Sequence, residues 1–409
     1  MDIMQTHSPI ARASRLAEIG VSEILRVVAE AAKRRAEGRD IIILAAGEPD
    51  FPTPDHVKLA ACRAIIENET RYTALDGTPA LKRAIVGKFA RENGLHYEAG
   101  EISCGAGAKQ VIHNVFMATL DEGDEVIVPT PCWTSYFDMV RIAGGVPVRV
   151  PLTESRGFVL TPDQLEQAIT PKTRWLMINS PSNPTGAVYS RVELAALGQV
   201  LARHPHVGVV SDEIYEHIAF ARDLPPSIVS VCPELRARTV IVNGVAKAYS
   251  MTGWRLGYAA GPRELIAGMA IVQSQSTSNP CSISQAAAIA ALSGPPDVVA
   301  ARREAFQSRR DLVLAAIGAI PGLTCFPPGG AFYAFVNCTE LLGSGGARQA
   351  GITDDAAFCR YLLDKWDLAL IPGYCFDAPG YVRLSFAASE AELISAMDRL
   401  AKGVAHLMQ

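Results

Sequence analysis

The chain has no paired cysteines. Its nine cysteines are scattered singly without a C-x-x-C pair, and this odd, dispersed set reads as reduced, mostly buried thiols rather than a disulfide framework. Metal-ligand patterns are missing as well. The eight histidines form neither H-x-x-x-H nor H-E-x-x-H. The "HPH" at His204 and His206 falls between a helix-like and a strand-like run, where a solvated turn is expected, so no metal is predicted. Positive charge is not in excess: 38 Lys plus Arg stand against 42 Asp plus Glu, net −4, which argues against nucleic acid or an anionic membrane as partner. The N-terminal "MDIMQTHSPIARAS" lacks the apolar run of a signal peptide, and charges interrupt every later apolar segment before membrane-spanning length. A cytoplasmic protein with a small-molecule partner is expected. In "SCGAGAKQ" Gln110 stands where the third glycine of G-x-G-x-x-G would fall, which disfavours a nicotinamide dinucleotide.

What is present is core-forming material. With 409 residues, 49% of them hydrophobic, the chain is long enough for a large domain plus a smaller one. Between about 100 and 260, β-rich runs alternate with helix-period segments, the pattern of a mainly parallel α/β sheet with crossover helices. The strands read are "EISCGAG", "DEVIVPTP", "VPVRVPL", "TRWLMINS", "VGVVSDE" and "TVIVNGV". Beyond about 295 a long charged helix and short strands ("GGAFYAFVN", "YVRLSFA") indicate a smaller α+β domain, with "LLGSGGARQAGITDD" expected to be a mobile loop. The helix "VSEILRVVAEAAKRRAEG" is expected to pack on that second domain. The division is therefore 1–47, an N-terminal arm with part of the small domain; 48–295, the large domain; and 296–409, the small C-terminal domain.

Ligands of such sheets bind beyond the carboxyl ends of the strands, and four unusual residues fall there: Gly107, Asn183, Asp212 and Lys247. Each has an ordinary reading too. Gly105 and Gly107 expose amides at a helix start, a phosphate cradle or simply a tight turn. Asp212 ends an apolar strand, where an acid is functional or a helix N-cap. Tyr215, three positions on, either shares its face or packs in the core. Asn183 lies in the stiff loop "SPSNPTG". Lys247 is a snorkelling surface lysine or an amine made nucleophilic by desolvation.

The segments "SPSNPTGAVYS", "SDEIYEH" and above all "NGVAKAYSMTGWRLGYAAGP" resemble the motifs of class I pyridoxal-phosphate aminotransferases, most closely the bacterial aspartate aminotransferase branch. The similarity runs from "AAGEPDFPTPDHV" through "RYTALDGTPALK" and "PCWTSYFDMV" to "GGAFYAF" and "YVRLSFA". It implies fold type I: a large domain around a seven-stranded, mostly parallel sheet, a small domain from both termini, and a homodimer with shared active sites. By the same resemblance Lys247 holds pyridoxal 5'-phosphate as a Schiff base and moves the substrate's α-proton. Asp212 keeps the pyridine nitrogen protonated, Tyr215 and Asn183 hydrogen-bond the phenolate oxygen, and Trp133 stacks on the ring. Arg255, the amides of Gly107, Ala108 and Lys109, and Tyr72 of a partner subunit hold the phosphate. Arg383 clamps the α-carboxylate, joined by the backbone of Gly47, with Trp133 and Asn183 also facing substrate. On alternation alone Arg383 would instead face solvent, opposite Val382 and Leu384. The family also implies cis bonds at Thr130-Pro131 and Asn183-Pro184.

The implied activity is a ping-pong exchange between an amino acid, with aspartate expected, and a 2-oxo acid, with 2-oxoglutarate expected. In the bacterial branch the lysine matching Lys109 reaches the distal carboxylate of an acidic substrate. Two departures bear on this. Gly244 and Ala246 replace serines found in relatives, shifting phosphate retention toward Arg255 and Tyr72. Ser22, Glu23 and Ile24 stand where the branch reads Ser-Ala-Thr, at the side-chain end of the substrate, and Glu23 there would repel an acidic side chain. Aromatic or neutral amino acids are therefore the alternative donors, and a β-lyase the alternative reaction. A transcription regulator on this fold would need a winged-helix domain, for which the stretch ahead of "AAGEPDF" is read as too short.

Overall fold

Residues 13–17, 19–221 and 223–408 are described by the computed structural model. After a helix at Glu23–Ala36 comes the two-residue strand β1 (Ile42–Ile43). The large sheet is built from β2 (Ile102–Gly105), β3 (Glu125–Thr130), β4 (Val146–Pro151), β5 (Thr173–Asn179), β6 (Gly208–Asp212), β7 (Thr239–Gly244) and β8 (Gly257–Ala260). Its seven strands run in the order β2-β8-β7-β6-β5-β3-β4. All pairs are parallel except those of β8, which is antiparallel to both β2 and β7. The mostly parallel sheet and six of its strands match the sequence reading. β8, "GYAA", has no apolar alternation to mark it.

Both faces of this sheet are covered, as parallel strands require. Leu176, Ile178, Val209 and Ile241 point into one core. Their alternates Met177, Val210, Val240 and Val242 point into another. In register, Asn179 at the end of β5 pairs with Asp212 at the end of β6. The crossover helices are started by local chemistry: Ser190 and Glu193 form a capping box for Arg191–Arg203, and Thr161 with Gln164 another for Pro162–Ala168.

The second unit holds β9 (Thr324–Cys325), β10 (Tyr333–Asn337), β11 (Leu368–Ala369), β12 (Ile371–Pro372) and β13 (Tyr381–Ser385). Four of these form an antiparallel sheet in the order β12-β13-β10-β9, and β11 pairs in parallel with β1. The helices Asp297–Gly318 and Glu390–Leu407 bury Phe306, Val313, Leu393 and Leu400 with Phe332 and Val336 of the sheet segment. The N-terminal helix joins this unit, Arg34 pairing with Asp364 at 2.5 Å.

Two expectations are corrected. The "LLGSGGARQAGITDD" segment forms two short helices, Thr339–Leu342 and Gly345–Gln349, rather than a loop. Ser344 caps the second by accepting from the Ala347 amide, and a Cβ on Gly346 would lie 2.0 Å from the Leu407 carbonyl. Its glycines thus reflect close packing. Arg383 is not a solvent-facing strand residue: it is 2% exposed, because β13 sits between β10 and β12 and Val382 to Ser385 are all buried. Among the cysteines, all free, Cys62 and Cys281 are exposed and six are buried. Among the described residues, no helix is long and apolar enough to cross a membrane.

Candidate active site

The loops that follow the parallel strands, together with residues from the N-terminal segment and the small sheet, enclose a cavity of about 250 Å³. Lys247 enters it three residues after β7 ends. Its Nζ donates to the Gly47 carbonyl at 2.7 Å. Burial, seconded by the Arg383 charge, lowers its ammonium pKa to about 8, so a usable fraction is neutral amine near physiological pH.

Asp212 closes β6 at 3% exposure. Burial pushes its carboxyl up to about 6, against the hydrogen bonds that favour the anion. Tyr136 Oη donates to Oδ2 at 2.7 Å and the Ile214 amide to Oδ1 at 3.2 Å. The backbone is pinned separately: Asn179 Nδ2 and the Ser180 amide both donate to the Asp212 carbonyl. Asn179 Oδ1 in turn accepts from the Asn183 amide at 2.9 Å, tying the proline loop to the strand ends. That loop carries cis bonds at Ser180-Pro181 and Asn183-Pro184, and Thr130-Pro131 is also cis, which adds one to the two expected.

Arg383 lies across the cavity. It donates through Nη1 to Asn183 Oδ1 at 2.9 Å and through Nη2 to the Ala45 carbonyl at 2.7 Å. Its guanidinium stacks 4.4 Å from the Tyr333 ring and 4.8 Å from that of Phe376. The buried Nε has no partner, and each Nη has a further N–H in the planar fork. Tyr333 Oη also meets Tyr215 Oη at 2.9 Å, and burial raises both phenols. A Cβ on Gly47 would lie 2.6 Å from Tyr333 Oη, so the residue at 47 must be small for the backbone to approach the site.

At the other end the helix Ala108–Thr119 points its N-terminus at the cavity. Gly107 precedes it at φ +93°, and a Cβ there would fall 2.4 Å from the Arg255 guanidinium. Arg255 is held by the carbonyls of Thr252 and Ala106. Free first-turn amides and a guanidinium on one wall make an anion cradle. Gly257 of β8 backs it, since a Cβ there would meet the Ala108 nitrogen at 2.3 Å. Lys109 is exposed as a residue, yet its ammonium lies 4.6 Å over the Trp133 ring and donates to Ser135 at 3.3 Å. Burial, then the Arg255 charge, lowers its pKa.

Eleven residues singled out in the sequence line this cavity: Lys247, Asp212, Tyr215, Gly107, Ala108, Lys109, Trp133, Asn183, Arg255, Gly47 and Arg383. Two do not. Tyr72 is 92% exposed and away from the cavity of its own chain. Ser22 precedes the Glu23–Ala36 helix, and it is Ile24 that reaches the wall. Glu23 instead borders a separate cavity of about 370 Å³ and pairs with Arg26 at 2.8 Å. Tyr136, Asn179 and Tyr333 are further lining residues that the sequence reading did not assign. All three sit inside motifs already quoted, and only their pairing in space distinguishes them from core residues.

Beneath the site Glu216, 2% exposed, accepts from the fully buried Lys88, from Asn93 and from Asn243. Burial would raise the Glu216 carboxyl, but Lys88 and His217 outweigh it and bring it to about 2. Among the described residues Glu92, Glu216 and His217 gather as possible metal ligands, with the Lys88 ammonium already among them.

A family model for aminotransferase class I and II matches residues 39–400. The aspartate aminotransferase of Rhizobium meliloti strain 1021 is 55% identical over 391 residues, 95% of each chain. The aspartate/prephenate aminotransferase of Cereibacter sphaeroides is 51% identical over 385 residues, 94% of this chain and 96% of that one. The crystal structure of the Rhizobium meliloti aspartate aminotransferase superposes with a TM-score of 0.94 at 53% identity, covering 97% of this chain and 99% of that one. The Thermus thermophilus aspartate aminotransferase with maleate gives 0.89 at 42% identity, covering 96% and 100%. With a matching family model over most of its length and a site built from the same motifs, the chain belongs to the class I and II aminotransferases, close to the bacterial aspartate aminotransferase branch.

Proposed function

We propose that the protein exchanges the amino group between aspartate and a 2-oxo acid such as 2-oxoglutarate, using pyridoxal 5'-phosphate held by Lys247. The observation that carries this is the cavity of about 250 Å³ in which an amine with lowered pKa, a buried carboxylate, an anion cradle and the Arg383 guanidinium converge. Those groups fit the cofactor: the cradle of Gly107, Ala108 and Arg255 suits its phosphate, Asp212 its ring nitrogen, and Lys247 its aldehyde carbon. When bound there, pyridoxal phosphate supplies an electron sink conjugated to the substrate nitrogen. Asp212 holds the proton of the ring nitrogen as its anion. Arg383 takes the substrate α-carboxylate bidentately and fixes which bond at the α-carbon faces Lys247. Lys247 Nζ, freed as neutral amine, accepts the α-proton and returns it. Trp133 and Tyr215 wall the ring and exclude water.

Lys109 supports an acidic side chain, since its ammonium lies on the cavity wall over the Trp133 ring, beside the Arg255 cradle. Glu23 pairs with Arg26 and borders a different cavity, which supports a weaker opposition to an acidic substrate than its sequence position suggests. A second reading is favoured by Ile24: an apolar side chain on the cavity wall also suits ring-bearing substrates, in keeping with the aspartate/prephenate name of one relative. The protein is further proposed to act as a homodimer, with Tyr72 completing the partner's phosphate site. Its 92% exposure supports a role outside its own cavity. Incubating the holoenzyme with aspartate and no oxo acid tests the reaction. One oxaloacetate per subunit, resuming when 2-oxoglutarate is added, supports transamination. With a donor carrying a leaving group on Cβ, such as β-chloroalanine, continuous release of ammonia and pyruvate would mean elimination.

A further inference from the structure

The Tyr136 hydroxyl is spent on one contact. The residue is 2% exposed, in the first turn of the helix Ser135–Ile142, with its ring edge-on to Trp133 at 5.4 Å. Its oxygen donates 2.7 Å to Asp212 Oδ2. The Asp212 main chain does not depend on it, since Asn179 and the Ser180 amide hold the carbonyl. We propose that Tyr136 is a positioning residue that keeps the Asp212 carboxylate ionised and oriented for the ring nitrogen of the cofactor, an assignment that rests on the pyridoxal-phosphate reading above.

The groups around Asp212 make this contact decisive. Burial drives the carboxyl toward its neutral form, opposed by the Tyr136 hydrogen bond, then by the Ile214 amide and the Lys247 charge. Lys247 loses its charge near pH 8, whereas the Tyr136 hydroxyl at 2.7 Å and the Ile214 amide at 3.2 Å stay donors, Tyr136 the shorter of the two. Tyr215 and Cys132 also border the pair. Burial raises both of them well above their usual range, so neither adds a competing anion. The Tyr136 phenol itself is pushed up by burial and by Asp212, so it remains a donor throughout the working range.

The test compares wild-type and Tyr136→Phe full-length enzyme. The dissociation constant for pyridoxal phosphate is measured by titration calorimetry from about pH 5.5 to about pH 8.5. Below the Asp212 pKa the site must release a proton before it can pair with a protonated ring nitrogen, so affinity falls as pH falls. Without the phenol that decline begins at higher pH. The ratio of variant to wild-type constants is then about tenfold or more larger at the acid end than at the alkaline end, tenfold for each unit by which the carboxyl rises. Urea unfolding of the cofactor-free chains gives a second reading: the penalty of the substitution is larger at pH 8.5 than at pH 5.5, because the lost bond serves the anion. Parallel binding curves and a pH-independent penalty would overturn the proposal while leaving the cofactor assignment standing. Failure of the wild type to bind pyridoxal phosphate would instead remove the reading on which it rests.

Discussion

At the scale of single residues, the proposed preference for acidic substrates rests on Lys109. Its ammonium sits over Trp133 beside Ser135. Lys109→Ala is expected to lower kcat/KM for aspartate and glutamate by about 1.5–3 kcal/mol, the scale of a hydrogen bond to a charged group. Phenylalanine should be almost unaffected. Equal losses for aspartate and phenylalanine in steady-state assays would assign the lysine to cofactor or fold instead. Lys247 carries a pH prediction. Its ammonium is shifted down to about 8, chiefly by burial, so the neutral, reactive amine accumulates as pH rises through that value. Stopped-flow capture of pyridoxal phosphate by the cofactor-free chain should therefore accelerate and level off just above pH 8. A rate still climbing toward the ~10.4 of an ordinary lysine would contradict the shift.

At the scale of elements, the site depends on short segments whose sequence gives little sign of their role. Lys247, Asp212 and Asn183 were legible because polar residues after apolar strands are conspicuous, and because their motifs resemble a known family. β8 was not, for four small residues without alternation carry no strand signature; the sheet pairs them because β2 and β7 each leave an open edge. Tyr136, Asn179 and Tyr333 look like core residues in the sequence, and become site residues only where Asp212, Asn183 and Tyr215 arrive beside them. Arg383 misled on alternation because its strand is covered on both sides, so a period of two no longer separates core from solvent. The contact of β8 with the cradle yields a prediction. A Cβ at Gly257 would press on the Ala108 nitrogen at 2.3 Å, displacing the helix N-terminus. Gly257→Ala should weaken pyridoxal phosphate binding by about tenfold or more and cost about 1–3 kcal/mol in urea unfolding, as overpacking does. Unchanged affinity would mean that this end of the helix does not hold the phosphate.

At the scale of the whole molecule, the exposed side chains of Leu59, Ile66 and Tyr72, with exposures of 68%, 79% and 92%, lie on or just after the helix Asp55–Ile66. Such an exposed apolar surface suits the proposed dimer, in which a second copy covers it and Tyr72 completes the partner's cradle. Mixing Tyr72→Ala chains with Lys247→Ala chains, followed by exchange of subunits, should restore activity above that of either variant, since each hybrid holds one site with both residues intact. No gain on mixing would place Tyr72 outside the site.

The central claim is that Lys247 Nζ forms the covalent link to the cofactor. Borohydride reduction of the holoenzyme, proteolysis and mass spectrometry locate that link directly. The account predicts a single pyridoxyl label on the peptide containing Lys247, and an unlabelled chain, still folded by circular dichroism, for Lys247→Ala. A label on Lys109 or any other lysine, or one that persists in the variant, would contradict it.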